Sequence, residues 1–492
     1  MKTWTQEVRT KTRLILITYL LSIIMLILLL LVIIALFNEN DSAVVITRFD
    51  DSCDLDPKLI EEIESYRNVT KYIMDDIVKR SGPLMWDLYV NFIDKFGARP
   101  AGTEVLEQAI THMVNLTKTH GLQDVITEPV EIPHWVRGFE SIQMTSPRTK
   151  NVQLLGLGPS VSTPVNGITA EIVVVKSFEE LDALNKTDVN GKIVVYNAPY
   201  VTYGDTVIYR SQGATNAAKK GAVAALVRSI TPFSLYTPHT GAQSYADDVK
   251  KIPAAAITIE DAELMERLCK DGYKVVLNLT MLNTLDTKQS RNTLIDLKGK
   301  ETPDKMVIVS GHIDSWDVGQ GAMDDGGGMF ISWFAPVILN ELKLKPRRTL
   351  RAILWTSEEP GLVGAFDYLK KHEQELSNIN FIMESDEGTF KPLGLDVGGT
   401  KQTRCVIAEI LKIFSPINNM KESERPGSDI EIFVGKGVPG ASLLNENDRY
   451  FWFHHSEADT MSVQNKDDVI NCAAFWTAVS YVIADLSADI PR

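Results

Sequence analysis

Between Ser310 and Glu359 the chain sets out side chains that can bind a divalent metal and move a proton. His312 and Asp314 stand two residues apart at the end of an apolar run. Asp324 and Asp325 precede Gly326-Gly327-Gly328, and Glu358 and Glu359 follow closely on the apolar run Leu350–Trp355. Imidazole and carboxylate donors together suit a borderline cation such as zinc. A carboxylate left free beside such a cation can serve as general base for hydrolysis. Residues two apart on an extended chain share a face, so the Asp314 carboxylate is expected to hold the second ring nitrogen of His312 and fix its tautomer. Asp324 can bridge two cations through its two oxygens, although an Asp at this place also suits the start of the helix that follows. Glu358 and Glu359 should point apart, one toward metal and the other toward a reacting water.

Two later segments add donors. Glu384 and Asp386 follow Phe381–Met383 and should share a face, so either is a candidate ligand. His454 and His455 end the aromatic run Tyr450–Phe453, and neighbours on an extended segment face opposite ways, so only one is expected to ligate. Two cations ~3.5–4 Å apart would activate water and clamp a carbonyl, which makes this a hydrolase site. The chain has no Walker loop, no dinucleotide fingerprint and no Gly-x-Ser-x-Gly.

These residues must be carried by strand ends. From about Thr293 the pattern alternates strand and helix, with strands expected at Leu294–Leu297, Met306–Gly311, Leu350–Trp355, Phe381–Ser385 and Ile430–Phe433. Helices are expected at Met329–Leu342, Val363–Lys371, Thr403–Phe414 and Asp468–Leu486. Continuous Val, Ile and Leu runs indicate strands buried on both faces, hence an α/β fold with a mostly parallel central sheet flanked by helices. Ligand sites in such folds sit at strand ends. Residues 58–153 supply the first part of this domain, largely helical up to Gly121, with a loop at Ala98-Arg99-Pro100-Ala101-Gly102-Thr103. Residues 154–288 have another texture, short strands and small helices with frequent Gly and Pro. They read as a separate α/β insert without a catalytic cluster of its own. The metal-site segment occupies 289–492.

A chain of 492 residues is too long for one simple core. Its formal charge of −14 and lack of a basic, aromatic-interleaved patch exclude nucleic acid as a partner. Residues 14–37 are uncharged and nearly all aliphatic, long enough to span a ~30 Å hydrocarbon core. Lys2, Arg9, Lys11 and Arg13 precede them, while Glu39 and Asp41 follow. A cytosolic tail at 1–13, a membrane anchor at 14–37, a stalk at 38–57 and a lumenal or extracellular catalytic part are therefore expected. A cleaved signal is the alternative, but the run exceeds the usual ~7–15 residues and ends without a small-x-small site. Sequons at Asn40, Asn68, Asn115, Asn185 and Asn278 agree with export. Cys53, Cys269, Cys405 and Cys472 show no C-x-x-C spacing and allow up to two disulfides in one of three pairings.

The run from Ser310 through Gly328, Met383-Glu384-Ser385-Asp386, Gly437 to Leu444, and His454-His455-Ser456-x-x-Asp459-Thr460 together resemble the M28 family of co-catalytic zinc peptidases. The resemblance extends over most of the chain after Lys58. It implies two zinc ions per chain, one on His312 and Asp386, the other on Glu359 and His455, with Asp324 bridging. It implies Glu358 as the general base toward a bridging water, Asp314 as the carboxylate orienting a histidine ligand, and a cis peptide at Asp324–Asp325. It favours Asp386 over Glu384 and His455 over His454. The insert resembles a protease-associated domain, which would cover the site and restrict it to short peptides. Unblocked dipeptides as substrates and a homodimer are likewise implied. Soluble relatives are secreted or lysosomal after signal cleavage, so the apolar run at 14–37 is a departure. An aminopeptidase for longer peptides, a single-zinc cyclotransferase and a non-catalytic receptor ectodomain are the alternatives on this fold.

Overall fold

The computed structural model describes residues 53–492. The expected anchor and most of the stalk lie outside the described residues. Among the described residues, no helix is long and apolar enough to cross a membrane.

The metal-site region is built on a sheet whose strands run in the order Asn419–Glu422, Pro392–Gly398, Gly440–Asn445, Ile379–Glu384, Thr302–His312, Arg348–Trp355 and Val276–Leu297. The four central strands are parallel, and the neighbours on either side of them, Pro392–Gly398 and Val276–Leu297, pair antiparallel. Val307, Ile308 and Val309 fill the centre of one strand, and every residue of Arg348–Trp355 is buried. Helices cover both faces, as continuous apolar strands require. Gly327–Glu341 and Lys466–Asp485 pack together with Gly82–Phe96 over one face. Val363–Lys371 and the segment around Ile430 and Phe433 cover the other.

The insert has its own sheet, Ile168–Val175, Ile193–Tyr196, Ala224–Arg228, Ala254–Ile257 and Leu154–Gly156, with apolar side chains packed on both faces. The two sheets are continuous through one 22-residue strand, Val276–Leu297. Its first residues pair with Ile168–Glu171 of the insert and its last with Arg348–Trp355 of the larger sheet. A second strand of 22 residues, Val125–Ser146, runs antiparallel along it. This two-stranded arm joins the insert's sheet to the larger one.

The expected helices fall where the periodicity places them, within a few residues at each end. The arm strand Val125–Ser146 and the strands Pro392–Gly398 and Gly440–Asn445 carry too little alternation or apolar length to stand out in the sequence. Ile430–Phe433, expected as a strand, instead overlaps the short helix Glu431–Val434. Four apolar-rich residues do not discriminate the two states. Here the buried Glu384 carboxylate accepts the amide hydrogens of Asp429 and Ile430 and turns the chain into helix, so that Ile430 and Phe433 are both buried. A disulfide joins Cys53 to Cys405, and Cys269 and Cys472 are free thiols.

Candidate metal centre

His312 is the last residue of the central strand Thr302–His312 and is fully buried. Its amide donates to Asp325 Oδ2 at 3.0 Å, while Asp325 Oδ1 accepts from Gly328 N–H at 3.1 Å. Asp325 thus fastens the strand end to the first turn of the helix Gly327–Glu341. The peptide between Asp324 and Asp325 is cis. Gly328 permits this packing, because an added Cβ would lie 1.8 Å from the carbonyl oxygen of Ser385. Asp459 accepts hydrogen bonds from the amides of Met323 (2.7 Å) and Asp324 (3.1 Å), fixing the backbone that presents the Asp324 side chain.

Around Asp324 two donor sets converge. His312 Nε2 is 3.2 Å from Asp324 Oδ1 and 3.1 Å from Asp386 Oδ1. On the other side, His455 Nε2 is 3.3 Å from Asp324 Oδ2 and 3.1 Å from Glu359 Oε2. Donors ~2.0–2.2 Å from a tetrahedral cation lie about 3.3–3.6 Å from one another, and these separations of 3.1–3.3 Å come near the short end of that spacing. Each set draws one oxygen from Asp324. Glu359 Oε1 is buried without a hydrogen-bond partner, and Asp324 Oδ2 makes no hydrogen bond of good geometry. Buried carboxylate oxygens left in this state call for a cation. The residues therefore fit zinc.

Electrostatics agree. Burial opposes charge on both His312 and His455, yet the surrounding carboxylates reverse this, raising His312 well above its usual value and His455 to about 9. Burial pushes Glu359 up to about 7. Glu358, buried among Asp386, Glu359 and Asp314, is raised well above the ordinary carboxylate range, chiefly by desolvation. Its carboxylate comes no nearer to His312 Nε2 than 4.0 Å and belongs to neither donor set.

Three local expectations are corrected by the geometry. His312 Nδ1 hydrogen-bonds the backbone carbonyl of Asp314, at 3.0 Å, whereas the carboxylate is 3.8 Å away. That carboxylate instead accepts the amides of Glu358 (3.0 Å) and Glu359 (3.3 Å) and so shapes the acidic turn. His454 and His455 do not face opposite ways. His455 takes a left-handed φ of 60°, the segment is bent, and the two rings stack with centroids 3.5 Å apart. His454 Nε2 is also 3.5 Å from Asp324 Oδ2, but His455 alone of the pair reaches Glu359. Glu384 and Asp386 diverge: Glu384 turns to the Asp429 and Ile430 amides, and Asp386 to His312 and the Ser428 hydroxyl.

The insert, which shows no catalytic cluster in its sequence, reaches the centre nonetheless. Tyr203, Arg210 and Ala242 line a cleft of about 480 Å3 together with Asp324, Glu358, Asp386 and His455. Thr240 N–H donates to the His455 carbonyl (2.9 Å), and His239 Nδ1 donates to the His454 carbonyl (2.6 Å). These residues are scattered among ordinary insert sequence, and only folding brings them to the cleft. Arg99 was equally hidden. It is fully buried, donates to the carbonyls of Gly97, Ile313, Gln320 and Gly321, and so braces the loop after His312. A lone Arg beside Pro100 reads in sequence as a solvated loop residue.

Residues 292–480 match the model of peptidase family M28, and residues 167–265 match that of the PA domain. The chain is 49% identical to carboxypeptidase Q of Xenopus laevis and 47% identical to carboxypeptidase Q of Homo sapiens. Each comparison covers 88% of this chain and 92% of the relative. Among solved structures, the peptidase M28 precursor of Shewanella amazonensis SB2B superposes with a TM-score of 0.83 at 30% identity, over 87% of this chain and 99% of that one. An aminopeptidase from Aneurinibacillus sp. strain AM-1 shares the fold, with a TM-score of 0.63 at 21% identity over 85% of this chain and 97% of that one.

Proposed function

Because this chain belongs to peptidase family M28, a family of zinc-dependent peptidases, and lies close to carboxypeptidase Q, we propose that it hydrolyses small unblocked peptides, dipeptides above all, using two zinc ions per chain. In this reading His312 and Asp386 would hold one ion and Glu359 and His455 the other, with Asp324 offering an oxygen to each. When bound, such ions acidify a water molecule and polarise a carbonyl oxygen. Glu358 takes the proton from the attacking water and returns it to the nitrogen of the departing amine. Asp314, through the two amides it holds, keeps Glu358 and Glu359 in their separate orientations. The observation that carries the reading is the division of labour in this pair: Glu359 stands in a donor set, and its neighbour Glu358 faces the cleft outside both.

The cleft supports small substrates, since about 480 Å3 is ample for a dipeptide and the insert closes one side with Tyr203 and Arg210. The Cys53–Cys405 disulfide supports an oxidising compartment, hence a catalytic region outside the cytosol. Whether it is tethered by residues 14–37 or released is decided by N-terminal sequencing of the mature protein. Homodimeric assembly is proposed on the resemblance alone.

A length and end-block series tests the substrate class. Unblocked dipeptides should be turned over fastest, with N-acetylated dipeptides and tetrapeptides strongly disfavoured. Equal turnover of tetrapeptides would point to an aminopeptidase for longer peptides. No hydrolysis of any peptide by zinc-loaded protein would point to a receptor-like ectodomain.

A further inference from the structure

The two metal-facing histidines are oriented by the same device with partners of very different origin. Each offers Nε2 to the centre and Nδ1 to a backbone carbonyl. For His312 that carbonyl belongs to Asp314, two residues along its own loop. For His455 it belongs to Thr240, 215 residues away in the insert, at 3.2 Å. The bond is reciprocated, since Thr240 N–H donates to the His455 carbonyl at 2.9 Å. Donation from Nδ1 leaves the lone pair of Nε2 toward Asp324 and Glu359, the state a metal ligand needs. His455 also holds a left-handed φ of 60°, which a non-glycine residue keeps only where its surroundings enforce it.

The carbonyl of Thr240 is itself held. Arg210, only 6% exposed, donates from Nη1 to Thr240 O at 3.4 Å and from Nε to Ala242 O at 3.3 Å, so the guanidinium grips the chain on both sides of Gly241, and the same Nη1 stands 3.4 Å from His455 Nδ1. A Cβ on Gly241 would fall 2.3 Å from the guanidinium carbon, so the grip depends on glycine there. The Tyr203 hydroxyl accepts from Arg210 Nη2 at 2.7 Å and fixes its far end. On the other flank, the Thr240 hydroxyl donates to Gly156 O, and Arg137 joins that hydroxyl to Asp317 of the catalytic loop.

We infer that Arg210 is a positioning residue for one metal only: through the Thr240 carbonyl and its own contact with His455 Nδ1 it sets the His455 imidazole, so the position on Glu359 and His455 depends on the docked insert while the position on His312 and Asp386 does not. The inference rests on the two-metal reading above. It predicts unequal retention of the two ions when the insert's grip is loosened, a property that activity alone would not reveal.

The test is zinc content per folded chain across a series of chelator-buffered zinc concentrations. Wild-type protein should hold two ions. Arg210→Met should lose one ion at a free zinc concentration about 10- to 100-fold higher than wild type does, with the other ion released as in wild type. Arg210→Lys should recover part of the difference. His239→Ala, which removes the adjacent bond to the His454 carbonyl, should weaken the same ion, and it decides the matter if Arg210→Met does not fold. Arg228→Gln is the control, since Arg228 bonds within the insert to Asn197 and Glu263. Both ions retained as in wild type, both lost together, or an equal loss in Arg228→Gln would overturn the inference. Fewer than two ions in the wild type would refute the two-metal reading instead.

Discussion

Single side chains at this centre mostly serve the backbone of others. Asp459, Asp325 and Asp314 each spend their carboxylates on two amides, and Arg99 spends its guanidinium on four carbonyls. Removing such a hub leaves several buried acceptors unpaired, each at about 1–3 kcal/mol. Arg99→Met is therefore expected to lower stability by at least about 3 kcal/mol, read from urea unfolding midpoints. Arg99→Lys should recover little of it, because an ammonium cannot fork to that set of carbonyls. The residues of the two donor sets are legible in the sequence because His and carboxylates at strand ends are chemically conspicuous. Arg99, Arg210 and Thr240 are not, because their role is defined by partners more than 200 residues away along the chain, or by a backbone atom that every residue has. Residue types alone left Glu384 against Asp386 and His454 against His455 open. The separation came from bends at Asp429 and His455 that no two-residue periodicity encodes.

At the scale of elements, the site is the meeting of a strand end with a helix start. The helix Gly327–Glu341 lies so close to the loop after Ile379–Glu384 that Gly328 has no room for a side chain. Gly328→Ala should push helix and Ser385 apart. The expected cost is about 1–3 kcal/mol or more, together with weakened zinc binding through the displaced Asp386. Unfolding and zinc titration of the same preparation check both. Helices and buried strands could be read from their periods, since Val, Ile and Leu runs and three- to four-residue spacing follow directly from burial. The arm strand Val125–Ser146 could not, because its pattern is mostly half-buried or exposed and its pairing partner begins 130 residues after it ends. Ile430–Phe433 departs from its expected strand for a related reason, since the Glu384 carboxylate holds the amides that start its helical turn.

Across the whole molecule, the arm and the metal-site sheet are held by an ion pair buried between two strands. Arg351 makes two bonds to Asp296, at 2.6 and 2.8 Å, and Lys298 adds a third at 2.6 Å. Burial alone would raise the Asp296 carboxyl, but Arg351 and Lys298 override it and hold its pKa below the ordinary value of 3.8. A depressed carboxylate stabilises the fold above its unfolded pKa, and the contribution disappears as pH falls through the lower folded value. Stability should thus be insensitive to this pair near neutrality and decline below about pH 4. Asp296→Asn should cost about 3–5 kcal/mol at pH 7 by leaving Arg351 buried without its charge partner, and less at pH 3. A pH series of unfolding midpoints for both proteins checks the sign.

In the proposed reaction Glu358 moves the proton while its neighbour Glu359 stands among the metal donors. The most direct measurement is dipeptide turnover together with zinc content for purified Glu358→Gln, an exchange that keeps shape and removes the base. Wild-type zinc content with turnover reduced about 100- to 10,000-fold is the expected result. Turnover within a few-fold of wild type at full zinc content would contradict it.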